Sequence, residues 1–231
     1  SIYSTDILIL NGHPPCCSNN QGRQENFDAL IQFIHDAKTI GGIIDLPINT
    51  PISFSGDMNL VGYSEQYFTI INGTISDTVT FGNGGLPDWN NTPLEDQICY
   101  FNEKEIAYTW DKGAPSAGDF PPGRLDFVFF TNSVMSVDKS FIISTEHMSP
   151  SLLVQNSLFW DDTKKASDHF PVIVDFILPT FTHTGIMDFK QELDDILIKD
   201  ILGREVSRID KNTLLFYIYN DGIVEKKIII E

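Results

Sequence analysis

Two apolar runs on either side of a helical period limit what this chain can fold into. Asp6–Leu10 (DILIL) is continuous and apolar, the pattern of a strand buried on both faces. Asn11-Gly12-His13 and two prolines end it. From Arg23 to Lys38, the residues Phe27, Leu30, Ile31, Ile34 and Ala37 recur at helical spacing. Pro47–Ser55 then returns as a strand. Ser64–Ile71 reads as a short helix. Phe81–Asp96 and Pro115–Gly123, rich in Gly, Asn, Asp and Pro, read as loops. Leu125–Phe130, Val137–Ile143 and Phe170–Leu178 are further strands. A strand, a helix, a strand and then several strands predict an α/β layered domain. With 231 residues, 42% of them hydrophobic, the chain can bury its core. No internal repeat is visible.

Composition narrows the partners. The formal net charge is −17, which excludes a bulk electrostatic binder of DNA or of an anionic membrane. A phosphate would have to be handled by a local device such as a divalent cation. No run approaches the ~18 apolar residues of a membrane span. There is no initiator Met and no signal peptide, so the sequence reads as a mature chain or a fragment. The cysteines, Cys16, Cys17 and Cys99, are odd in number and form no disulfide framework. Neighbours such as Cys16 and Cys17 bridge each other only with difficulty, and one of them could pair with Cys99. No zinc-like spacing exists.

Polar groups gather at the ends of the apolar strands, where α/β sheets place their sites. His13 follows DILIL, and Asp57 and Asn59 follow PISFS. Asp126 lies within RLDFVFF, and Asp168-His169 precedes FPVIVDF. Gly56-Asp57-Met58-Asn59 is also a good turn sequence, since all but Met are turn formers. A carboxylate in a strand as apolar as LDFVFF is expensive unless paired, and a histidine is its natural partner. A carboxylate on His169 would orient the ring and raise its pKa. The imidazolium could then stabilise charge on a phosphoryl oxygen. Asp168 could ligate a hard cation, Asp57 could deprotonate a water, and Asn59 could hold that water. Together these groups fit metal-assisted hydrolysis of a phosphate ester. His35 on a polar helix face, His147 in a loop and His183 in a linker are read as structural.

In this order, NGH, GRQENFDAL, SGDMN, GRLDFVFF and ASDHFPV resemble the second half of the endonuclease/exonuclease/phosphatase (DNase I-like) superfamily. The resemblance covers residues 4–178. It implies half of a four-layer α/β sandwich and a Mg²⁺-dependent phosphodiesterase or nuclease, with Mn²⁺ or Ca²⁺ as possible substitutes. It assigns Asp57 and Asn59 to the attacking water, Asp168 to the metal, His169 to the scissile phosphate, Asp126 to orienting His169, and His13 to the phosphate or leaving group. The family's first half, with its principal glutamate ligand, would precede DILIL, and Glu25 is no substitute. Weak or no activity is therefore expected of the chain alone, along with one exposed apolar sheet face.

Composition shifts near Leu178, and residues 179–185 read as a linker. Asp221-Gly222 between LLFYIY and IVEKKIII signals a hairpin. DILGREV with LLFYIYNDGIVEKKIIIE resembles the C-terminal sorting domain of the Bacteroidetes type IX secretion system, placed at 186–231 as a small all-β tail. That resemblance implies the secretion machinery as partner and a secreted or outer-surface location in a Gram-negative bacterium. Two alternatives accompany the phosphodiesterase expectation. One is a sphingomyelinase-like or phosphomonoesterase hydrolase of the same fold. The other is a non-catalytic secreted binding protein that keeps the scaffold.

Overall fold

The computed structural model describes residues 6–62, 64–113 and 120–178, together with the strand segments 197–200, 214–218 and 224–228. The chain divides into two compact units, Ser1–Phe181 and Thr182–Glu231. The first is a mixed α/β unit. Strand β1 (Leu8–Asn11), helix α1 (Asn20–Ala37) and strand β2 (Ile52–Asp57) form a β-α-β crossover, with β1 and β2 parallel. Strand β4 (Asp126–Phe130) pairs antiparallel with β2, and β3 (Glu95–Asp96) pairs antiparallel with β4, giving the order β1-β2-β4-β3. Strands β5 (Ser136–Ile142) and β6 (Val172–Ile177) form a separate antiparallel pair with a bulge between Val137 and Lys139.

Helix α1 starts at Asn20, earlier than its apolar period suggests. Asn19 caps it, its side-chain oxygen accepting from Gly22 N at 3.1 Å. Phe27, Ile31, Ile34 and Ala37 are buried on its inner face. With α2 (Ser64–Asn72), α1 covers one face of the sheet, where Phe54 and Phe129 stack at 6.2 Å and Phe127 and Phe129 at 5.5 Å. Each such ring contributes about 1.5–3 kcal/mol by leaving water. The register sets Ile9, Ser53 and Phe130 on the opposite face. Phe130 meets Phe176 of β6 there, at 5.3 Å between ring centres.

β1 is not buried on both faces. Its accessibility alternates and Ile9 is 66% exposed, because β1 is the edge strand and α1 covers one side only. The expected loop at 81–96 is interrupted by β3, and a short helix, α3 (Thr78–Phe81), precedes it. Two further short helices, α4 (Pro150–Gln155) and α5 (Asp162–Ala166), join β5 to β6.

In the second unit, β7 (Leu197–Asp200), β8 (Leu214–Ile218) and β9 (Val224–Ile228) make an antiparallel sheet in that order. The residues that would turn β8 into β9, and the 179–185 linker with His183, lie outside the described residues. Among the described residues no helix is long and apolar enough to cross a membrane.

Candidate active site

Three strand ends meet at one corner of the β1-β2-β4-β3 sheet. Asp57 closes β2, and its register partner across the antiparallel ladder is Asp126, the first residue of β4. Asp57 is therefore a strand residue, and the turn starts after it. Met58 N donates to Leu125 O at 2.7 Å, which clamps the two strands just beyond the pair. Gly56 makes the corner possible. Its φ is +139°, and a Cβ there would lie 2.0 Å from Gly12 O. The Asn11-Gly12-His13 segment thus presses directly on β2, held by Gly12 N and Asn11 Nδ2, which donate to Ser55 O at 3.0 and 3.2 Å. His13 arrives beside Asp57, with Nε2 3.4 Å from Asp57 Oδ2.

His169 comes from the segment before β6. Phe170 is buried with Phe101, Ile142 and Cys99, and its N–H donates to Thr109 O at 2.8 Å. That anchor holds His169 with Nδ1 2.8 Å from Asp126 Oδ2 and Nε2 3.7 Å from Asp57 Oδ2. Asp126 thus has the histidine partner that its strand requires. Thr109, buried, accepts from the backbone N–H groups of Leu125 and Asp126 at 3.0 and 2.8 Å and so fixes the start of β4.

Asn59 is 5% exposed and sits in the left-handed region at φ 50°. Its N–H donates to Asp57 Oδ1 at 3.0 Å, and its carboxamide donates to Pro14 O, also at 3.0 Å. It therefore ties the loop after β1 to the carboxylate. Arg23, fully buried, supports the same loop. Its Nη1 donates to Pro15 O and its Nε to Gln66 Oε1, both at 2.7 Å, and its Nη2 bonds Asn20 Oδ1.

The electrostatics follow from these contacts. Burial pushes the Asp57 carboxyl above the usual carboxylate range, and Asp126 adds to this. The Asn59 N–H and the two imidazoles oppose it. Burial pulls the His169 imidazole down, but the Asp126 hydrogen bond and charge, with Asp57 and Asp168, outweigh it and leave its pKa raised.

Asp168 is exposed, and its Oδ2 accepts from Trp110 Nε1 at 3.0 Å. Among the described residues no group of three or more His, Cys, Asp or Glu is placed to hold a metal ion. Mg²⁺ keeps several waters and is held by one or two protein carboxylates. Asp126 Oδ2 is held by His169 and Asp57 Oδ1 by Asn59, whereas the exposed Asp168 could offer one carboxylate to such an ion.

Cys16 and Cys17 form a disulfide with each other, and Cys99 is buried with a free thiol. The turn needed between adjacent cysteines is made with Cys17 in the left-handed region, φ 61°. His35 bonds Gly85 O at 2.9 Å, and His147, in the 3₁₀ turn Thr145–His147, bonds Ser144 Oγ at 2.8 Å. Both serve the fold.

A cleft of about 400 Å³ opens on the corner, with Asp57, Asn59, His169, Trp110 and Arg124 in its wall. Thr109, Trp110 and Arg124 escape a reading by periodicity, because 109–111 belongs to no regular strand. Trp110 instead makes isolated bridges to Gly123 and His169. Arg124 opens the RLD motif, but nothing in the sequence shows that its guanidinium turns to Asp96.

No family model matches the chain, and no curated protein matches it. Among solved structures, it is similar to D. rerio TDP2 complexed with single-strand DNA product, at 18% identity and TM-score 0.37, over 73% of this chain and 55% of that one. A humanised D. rerio TDP2 gives 18% identity and TM-score 0.38, over 73% and 54%. The mannosyl-6-phosphatase Bt3783 of Bacteroides thetaiotaomicron VPI-5482 gives 18% identity and TM-score 0.40, over 75% and 52%. The chain spans about half the length of these neighbours.

Proposed function

We propose that this chain carries the water-handling corner of a phosphoester hydrolase of the DNase I-like type. One observation carries the reading: Asp126 holds His169 from one side at 2.8 Å, while Asp57 faces the other ring nitrogen and His13. A carboxylate whose pKa is raised is a better base near neutral pH, and an imidazole whose pKa is raised keeps its charge there. In the proposed reaction Asp57 takes a proton from water as its oxygen bonds to phosphorus. The P–O bond to the leaving group breaks, and that oxygen is protonated by His13 or by solvent. The His169 imidazolium stabilises the charge growing on the phosphoryl oxygens. Asn59 acts as a positioning residue through Asp57 and the Pro14 loop.

A divalent cation, Mg²⁺ first, belongs to the proposal as cofactor. Asp168 would supply one carboxylate to it, with water and the substrate phosphate as further ligands, and the ion would neutralise charge on the phosphoryl oxygens. The substrate is a phosphodiester of nucleic-acid, lipid or small-molecule type. The second unit is proposed to be the type IX sorting domain, which directs the chain to the cell exterior. Its support is the three-stranded sheet with 214–218 and 224–228 paired antiparallel.

The test is hydrolysis of bis(p-nitrophenyl) phosphate, abasic DNA and sphingomyelin, with and without Mg²⁺ and EDTA. Turnover that His169→Ala and Asp57→Ala abolish supports the reading. Turnover that neither changes overturns it; where the chain alone gives none, calorimetric binding of bis(p-nitrophenyl) phosphate that neither substitution weakens overturns it.

A further inference from the structure

The cleft wall has two kinds of lining. Asp57, Asn59 and His169 are the groups assigned to the phosphate and its water. Leu60, Val61, Trp110, Phe120, Pro121 and Pro122 give it an apolar and aromatic face. The indole is not loosely hung. Trp110 Nε1 donates to Asp168, and its main chain bridges both Gly123 and His169. The aromatic wall is thus tied to the segment that carries the phosphate-facing histidine. Phe120 is 62% exposed, so much of its ring stands in water.

Charge selects among occupants. Arg124, a cation in the cleft wall, is engaged by Asp96, and its guanidinium lies 4.1 Å over the Phe127 ring. The whole chain carries −17. A polyanion that runs along this wall would meet apolar surface and a repulsive field. An uncharged ring would meet rigid aromatic and proline faces, with favourable stacking and burial. The volume, about 400 Å³, is that of a small-molecule site and holds one ring with its phosphate.

We propose that this cleft is a subsite for a flat, apolar ring joined through an ester oxygen to the phosphate at Asp57 and His169. The substrate class is therefore an aryl-type phosphoester. The reaction part rests on the hydrolase reading, but the ring subsite can be tested without turnover.

The experiment measures binding to the full chain by calorimetry, using benzylphosphonate and ethylphosphonate. In both, a methylene replaces the ester oxygen, so neither can be cleaved there. A ring that stacks in the cleft should bind about 10- to 100-fold tighter than ethyl. Phe120→Ala and, separately, Val61→Asp should each remove much of that preference. Phe120 is exposed and Val61 partly so, hence the fold should survive, as circular dichroism would verify. Equal affinities for the two phosphonates overturn the proposal. So does a preference that neither variant changes, or an oligothymidylate that binds more tightly than benzylphosphonate. Ring preference beside hydrolysis that Asp57→Ala and His169→Ala leave unchanged retains the subsite and overturns the hydrolase reading alone. Hydrolysis without ring preference does the reverse.

Discussion

At the residue scale, the Asp126–His169–Asp57 set makes a signed pH prediction. The proposed rate requires Asp57 ionised and His169 protonated. Asp57 is raised, so the rising limb of kcat/KM should lie above the ordinary carboxylate range. His169 is raised from 6.5, so the falling limb should lie above that value. Asp126→Asn removes the hydrogen bond and charge that hold the imidazolium, leaving burial to pull it down. The falling limb should move to lower pH, and an NMR titration of the His169 ring should move with it. An unmoved titration would show that Asp126 does not set this pKa. Removing either acting group should cost far more: Asp57→Asn or His169→Gln should each lower kcat roughly 10²- to 10⁴-fold, read in single-turnover assays. The pairing of Asp126 with a histidine was legible, since an apolar strand cannot leave a carboxylate alone. The use of the Asn59 carboxamide was not. An amide in a Gly-Asp-Met-Asn sequence looks the same whether it faces water or Pro14 O.

Elements bring these residues together, and two of the joints can be broken selectively. Gly56→Ala would drive a Cβ into Gly12 O and put alanine at φ +139°. It should destabilise the unit by roughly 2–4 kcal/mol and separate His13 from Asp57. Thermal melts would show a fall in Tm of several degrees or more, and an unchanged Tm would disprove the close approach. Arg23→Met would leave Pro15 O and Gln66 Oε1 without their buried donor, at about 1–3 kcal/mol for each group. That loss should appear in urea midpoints with little change in slope. The β-α-β unit, α2 and the long strands were legible because each has its own period or apolar run. The exposure of Ile9 was not, because DILIL does not say which strand is at the edge. The strap through Thr109 and Trp110 was not legible either. It is held by Asp168, Gly123 and Phe170 rather than by any ladder of its own.

For the whole molecule, net charge separates two ways of holding a phosphate. A protein that binds through many Lys or Arg contacts to phosphates releases counterions, and its affinity falls steeply as salt rises. This chain has 15 Lys and Arg against 32 Asp and Glu, and Arg124 in the cleft is bound to Asp96. The long-range field should repel an anionic substrate, and salt shortens that field to about 10 Å at 0.1 M. Affinity for a phosphonate or phosphodiester should therefore hold steady or improve between roughly 0.02 and 0.2 M salt. An apolar contribution at Trp110 and Phe120 works in the same direction, because salt does not screen it. Calorimetric titrations of benzylphosphonate at several ionic strengths would decide the matter. A steep loss of affinity with salt would mean that a basic surface dominates binding. A flat or rising profile is what a local site built from two histidines, two carboxylates and an aromatic wall should give.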